Sequence, residues 1–195
     1  MTELKFTVDP KVVSAFFPIL QKGVMVNARV GCTLHHFLCH ELGLDPEYVQ
    51  NRIQTLFLDG KAVDDPETAR IGQGAVISLS GAMPGLLGAT LRKGGHYGAM
   101  RRHISYREST SSLSEQEGVV MIKLFNVLIK EVGPAILSRG VYIEVADFGN
   151  LYAIMETQHR PGALALCVDG ENMDLEKFKA RELKGHRLFL KVNFK

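Results

Sequence analysis

The dipeptide Asp59-Gly60 is the feature that most constrains what this chain can fold into. It stands between the apolar run Ile53 to Leu58 and the short stretch Lys61-Ala62-Val63. An Asp-Gly pair between such runs closes a tight β-hairpin, because both central residues of the favoured turn need positive φ. The neighbouring patterns supply what the hairpin packs with. Leu4, Phe6 and Val8 alternate with polar residues as a half-buried strand does, and Asp9-Pro10 breaks the pattern. Lys11 to Gln21 reads as a short helical turn, Lys22-Gly23 as a turn, and Val24, Val26 and Val30 as a second strand. Thr33 is placed to cap a helix whose apolar stripe is Leu34, Phe37, Leu38 and Leu42, with Gly43 at its end. After the hairpin, a loop from Asp64 to Gly74 leads into the apolar strand Ala75 to Leu79. The expected order is strand, strand, helix, strand, short strand, strand.

The stretch Phe57-Leu58-Asp59-Gly60-Lys61-Ala62-Val63-Asp64-Asp65, followed by Ile71, Gly74 and Val76-Ile77-Ser78-Leu79, resembles the second half of the ubiquitin-like β-grasp fold. The sulfur-carrier members of that fold have a similar strand, turn and strand in the same order. The resemblance covers about residues 24–80. It implies a β-grasp scaffold, and in those proteins a terminal diglycine is adenylated and then conjugated or thiolated. Leu91-Arg92-Lys93-Gly94-Gly95 resembles that tail, but the chain continues to Lys195, so this reading requires a protease to cut after Gly95. The long link from Leu4 to Val24 is a second departure from the pattern.

Residues 81–113 are Gly-rich and apolar, then basic, then Ser-rich, and mark the expected boundary between two parts. In residues 114–195, Ser114-Glu115-Gln116-Glu117 matches a capping box, which predicts a helix over about 115–132 that Gly133-Pro134 kinks or ends. Val141 to Val145, Leu151 to Met155, Ala163 to Val168 and Arg187 to Phe194 read as strands, and Leu175 to Leu183 as a short helix. The expected class is α+β: a β-grasp-like domain over 1–80, a connecting segment over 81–113, and a smaller helix-plus-antiparallel-sheet domain over 114–195. No internal repeat is apparent.

A net charge of +2 is too small to identify a partner, so clustering has to carry that argument. Between Glu67 and Glu108 there is no acidic residue, while Arg70, Arg92, Lys93, His96, Arg101, Arg102, His103 and Arg107 all fall in that span. Gly94, Gly95 and Gly98 let the backbone approach a ligand closely, although neither GxxxxGK[ST] nor GxGxxG is present. Met83 to Leu91 is too apolar for a plain linker. These features predict a non-catalytic binding or accessory protein whose surface is formed by Arg92, Lys93, Gly94, Gly95, His96, Arg101, Arg102 and Arg107. The expected partner is another protein, with an acidic surface as its natural complement. Nucleic acid is the weaker alternative, since only Tyr97 and Tyr106 offer stacking.

The helix after Gly31 carries a third candidate. Cys32, His36, Cys39 and His40 fall opposite the apolar stripe and offer soft ligands for zinc or another transition metal. No second ligand-bearing segment accompanies them, so the alternative is a His-rich polar face and no cofactor. Catalytic signatures are missing: there is no GxSxG, HExxH or paired-carboxylate pattern, and His159, Cys167 and His186 are isolated. Three cysteines without scaffold spacing suit a reducing compartment, and Glu3, Lys5 and Asp9 interrupt any apolar leader. With no run of about 18 apolar residues, the expected location is the cytoplasm.

Overall fold

The computed structural model describes residues 1–107, 114–158, 165–173 and 185–195. The chain opens with strand β1 (Glu3–Val8), in which Leu4, Phe6 and Val8 are buried. Asp9 accepts from the Lys11 N–H and Pro10 presets φ, so a 3-10 turn (Pro10–Phe16) follows and runs into helix α1 (Phe17–Lys22). Strand β2 (Val24–Val30) buries Val24, Val26, Ala28 and Val30. Thr33 then caps α2 (Leu34–His36), which continues as a π turn (Phe37–Glu41). Asp45 caps α3 (Pro46–Asn51) through its Oδ1. The hairpin strands β3 (Thr55–Leu58) and β4 (Lys61–Ala62) come next, then β5 (Val76–Ser80) and α4 (Gly85–Leu91). The remainder is β6 (Gln116–Phe125), α5 (Val127–Arg139), β7 (Val141–Glu144), α6 (Val145–Gln158), β8 (Ala165–Val168), β9 (Glu171–Met173) and β10 (Arg187–Phe194). The chain is therefore of the α+β class. Among the described residues no helix is long and apolar enough to cross a membrane.

Two elements differ from expectation for reasons visible in their side chains. Residues 116–125 form a strand rather than the start of a helix, because Val120, Ile122 and Leu124 alternate and are fully buried. A period of two filled with apolar and β-branched residues outweighs the capping box at its head. Residues 151–155 lie in α6 rather than a strand, since Phe148, Leu151 and Met155 bury one helical stripe. Helix α5 continues past Pro134 instead of stopping there. The helix expected over Leu175 to Leu183 lies outside the described residues.

The chain divides into two compact units, residues 25–129 and residues 1–24 together with 130–195. This differs from the expected segments 1–80, 81–113 and 114–195: β1 belongs with the C-terminal strands, and the Gly-rich segment lies inside a unit. In residues 25–129 the strand order is β4-β3-β5-β6-β2, with β3 antiparallel to both neighbours and β5 parallel to β6. In the other unit the order is β9-β8-β1-β10-β7, with β1 antiparallel to β8 and parallel to β10. That sheet is mixed rather than antiparallel because the first strand of the chain is inserted into it.

The strands of the two units share one layout, which the sequence does not announce. In each, a hairpin turn carries Asp and Gly at positive φ: Asp59 (51°) and Gly60 (76°), Asp169 (50°) and Gly170 (91°). Asp59 N–H donates to the Val76 carbonyl (2.9 Å) and Asp59 Oδ1 accepts from Val76 N–H (2.8 Å). Asp169 N–H donates to the Glu3 carbonyl (2.9 Å) and Asp169 Oδ1 accepts from Glu3 N–H (2.8 Å). The registers then run in step. Leu58 pairs with Ile77 and Ile77 with Ile122, as Val168 pairs with Leu4 and Leu4 with Leu190, and all six are buried. The expectation of no internal repeat is thereby corrected at the level of structure.

Candidate functional site

The segment after β5 is folded, not a linker. Gly81 is buried, Pro84 precedes α4, and Gly88 sits so close to the chain that an added Cβ would overlap the Met83 carbonyl. Arg92 to Gly95 then turn the chain. Lys93 N–H donates to the Gln54 carbonyl (2.7 Å), Gly94 N–H to Asp64 Oδ1 (2.8 Å) and Gly95 N–H to the Arg92 carbonyl (3.1 Å). A 3-10 turn (His96–Arg101) packs against α4. Beyond it, the Ala62 N–H donates to the Ile104 carbonyl (2.7 Å) and Tyr106 N–H to the Ala62 carbonyl (2.8 Å), so residues 104–106 cover the open edge of β4. Covering an edge strand removes a template for unwanted pairing.

Arg101 is the anchor. Its side chain is 3% exposed. Nε donates to the Thr90 carbonyl (2.7 Å), Nη1 to Ser105 Oγ (3.0 Å), and Nη2 to Asp64 Oδ1 (2.5 Å) and the Arg92 carbonyl (3.3 Å). One guanidinium thus ties α4, the turn after it, the edge-covering residues and the loop behind β4 into one piece, using the planar fork that only arginine offers. Lys93 adds a second tie, donating from Nζ to the Val49 carbonyl (2.8 Å), and burial lowers its pKa from the ordinary 10.5.

With these two cations turned inward, the outward face has a defined composition. Leu86 (64%), Leu87 (69%), Tyr97 (46%), Met100 (66%) and Ile104 (45%) are exposed, and of the large apolar side chains exposed among the described residues only Met1, Phe125 and Val127 lie elsewhere. Arg92, His96, Arg102, His103 and Arg107 are exposed in the same segment of the chain. Of the eight residues predicted to contact a partner, Arg92, His96, Arg102 and Arg107 face solvent, Gly94 and Gly95 form the turn, and Lys93 and Arg101 hold the segment in place. Arg70 is exposed and donates from Nη1 to the Gly31 carbonyl (2.8 Å). Sequence reasoning missed Asp64, Thr90 and Ser105, the partners of Arg101, since nothing local ties Asp64 to a residue 37 positions away. Tyr97, Met100 and Ile104 were legible as apolar residues amid cations, but not as exposed.

The helix proposed for metal ligation has the expected buried stripe, Leu34, Phe37, Leu38 and Leu42. Its four candidate ligands point to different neighbours. Cys32 is buried with Sγ 3.7 Å from Glu41 Oε1, and burial, reinforced by Glu41, pushes its pKa up to about 11. Cys39 Sγ lies 3.3 Å from Nε2 of His35, while the rings of His36 and His40 stack with centroids 4.8 Å apart. Among the described residues no group of three or more His, Cys, Asp or Glu side chains is arranged to hold a metal ion. Compared with protein-family models, with curated proteins and with solved structures, the chain matches none.

Proposed function

We propose that this chain is a non-catalytic binding protein that docks a partner protein through α4 and the turn that follows it. The observation that carries the reading is a segment locked by a buried arginine that nonetheless presents Leu86, Leu87, Tyr97, Met100 and Ile104 to solvent. Folding does not require those five side chains to be apolar, so their chemistry is free to serve recognition. Burying what each still exposes contributes about 1 kcal/mol or more. Five together reach the range of roughly 4 to 15 kcal/mol that association costs in lost freedom. The exposed cations contribute less than about 1 kcal/mol each and act mainly on orientation and encounter rate.

The partner that complements this surface is a protein with an apolar groove rimmed by carboxylates. Aliphatic side chains outnumber aromatic ones on the face, which favours protein over single-stranded nucleic acid, where stacking platforms dominate. The β-grasp-like reading of residues 24–80 belongs to the same proposal: β2, the capped helix, the β3–β4 hairpin and β5 occur in the expected order, and β6 fills the place beside β5 that an opening strand would take. Gly94 and Gly95 are held in a turn by Asp64 and Arg92, so the geometry favours docking over use as a processed tail.

The test compares three proteins purified from the native cell: wild type, Leu86→Asp/Leu87→Asp, and Arg92→Glu/Arg102→Glu/Arg107→Glu. The reading predicts a partner held by the wild type, lost from the first variant, and weakened in the second with a reduced salt dependence. If all three retain the same proteins in the same amounts, the face is not a docking surface.

A further inference from the structure

The strongest feature outside that face is a relay of three side chains. Cys39 lies on the π turn after α2, with Sγ 3.3 Å from His35 Nε2, and His35 Nδ1 lies 3.1 Å from Glu67 Oε1. Nδ1–H donates to the carboxylate, and in the neutral imidazole that tautomer turns the Nε2 lone pair to the thiol. The His35 main-chain N–H donates to the Pro66 carbonyl (2.9 Å), which fixes the imidazole against the loop that carries Glu67. Cys39 and His35 are each partly open to solvent. Thiol, imidazole and carboxylate in this order form a nucleophile, a base and a group that orients the base.

We propose that Cys39 is a site of thiol modification, at which His35, oriented by Glu67, removes the thiol proton as Cys39 attacks a small neutral or cationic disulfide. Sγ bonds to one sulfur of the reagent, the reagent's S–S bond breaks, and the other half leaves as a thiolate. The proton held on Nε2 passes to that thiolate, so the products are a mixed disulfide at Cys39 and one free thiol, with no other oxidant or reductant needed. The surroundings explain both the need for a base and the charge preference. Burial first, and then the charges of Glu67 and Asp45, push the Cys39 thiol above its ordinary pKa, so no standing thiolate is available. Those two carboxylates also repel an anionic reagent and attract a cationic one. His36 and His40 stack on each other, and Glu41 accepts from the Arg29 N–H and lies against Cys32, so neither group competes for the Cys39 proton.

The experiment treats the full chain with cystamine or with oxidised glutathione and follows each cysteine by peptide mass mapping. Cys39 of the wild type is expected to react with cystamine faster than Cys167, and to prefer cystamine over oxidised glutathione. His35→Gln is expected to slow the cystamine reaction about tenfold or more, and to move the rise in rate to higher pH, where the thiol must ionise unaided. Glu67→Gln removes an exposed charge without touching the core, and is expected to lower the ratio of the two rates severalfold. Modification of Cys39 at the wild-type rate and pH profile in His35→Gln, or an unchanged reagent ratio in Glu67→Gln, overturns the proposal.

Discussion

The hairpin at Asp59-Gly60 is braced by Val76, the first residue of the strand that follows it, whereas the hairpin at Asp169-Gly170 is braced by Glu3, from the other end of the chain. Both braces use the same pair of hydrogen bonds, and both lead into a parallel central pair, β5 with β6 and β1 with β10. The sheet layout is therefore indifferent to which piece of chain supplies a strand, provided that apolar residues alternate in register. What the layout does not need is the segment after β5, of which residues 81–107 are described. Residues 25–129 carry this addition, fastened by Arg101 and Lys93, and most of the exposed apolar side chains with it. A feature surplus to the fold, rigidly held and apolar outward, is the natural place to look for function.

The comparison breaks most severely if Arg101 is removed. Arg101→Met removes the donor to the Thr90 carbonyl and to Ser105 Oγ, and one of the two donors to Asp64 Oδ1 and to the Arg92 carbonyl, and is expected to cost about 3 kcal/mol, read as early unfolding of residues 25–129 in urea with loss of amide protection in 85–106. The strands β1 and β10 should keep theirs. Gly88→Ala comes next, since its methyl meets main-chain atoms of Met83 that have no side-chain freedom to yield. A loss of about 2 kcal/mol is expected, with the same regional pattern.

Asp59→Ala and Asp169→Ala sharpen the comparison itself. Each removes one brace, and if the braces are equivalent each loses about 1 kcal/mol, while the Asn variants, which tolerate positive φ and keep an acceptor, lose less. A large difference between the two Ala variants would show that the shared geometry is not shared energetics.

The smallest effect is on pH dependence. The Cys32 thiol ionises near 9.0 when unfolded and near 11 in the folded chain, where burial and Glu41 oppose the thiolate. Its contribution to stability is complete below pH 9 and is lost as pH rises toward 11, because only the unfolded state releases the proton. Urea titrations at pH 8 and 10.5 should show a loss on the order of 1 kcal/mol in the wild type that Cys32→Ala does not share.

Local rules read well where one side chain decides the outcome. Thr33 caps the helix its position predicts, Asp9-Pro10 ends the first strand, and Asp59-Gly60 turns as the pair must. They misled where two periods fit one stretch. Val119, Val120 and Leu124 satisfy helical spacing, but Val120, Ile122 and Leu124 also alternate, and only a vacant place beside β5 selects the strand. The repeat escaped notice because little more than Leu58-Asp59-Gly60 and Val168-Asp169-Gly170 advertises it, and because β1 lies at the far end of the chain from β10. At the candidate surface the cations were legible and their directions were not. Arg101 and Arg102 are adjacent in sequence, yet one is the buried anchor and the other is exposed, a division made by Asp64 and Thr90 and by nothing in the immediate sequence.

Hydrogen exchange of the native chain decides whether residues 85–106 form an ordered display surface. The account predicts slow exchange at the amides of Arg92, Lys93, Gly94, Gly98, Ile104 and Tyr106, each bonded in the fold, at rates comparable with β3 and β5. Exchange of the whole segment at the rate of an unstructured peptide, while β3 and β5 remain protected, would contradict it.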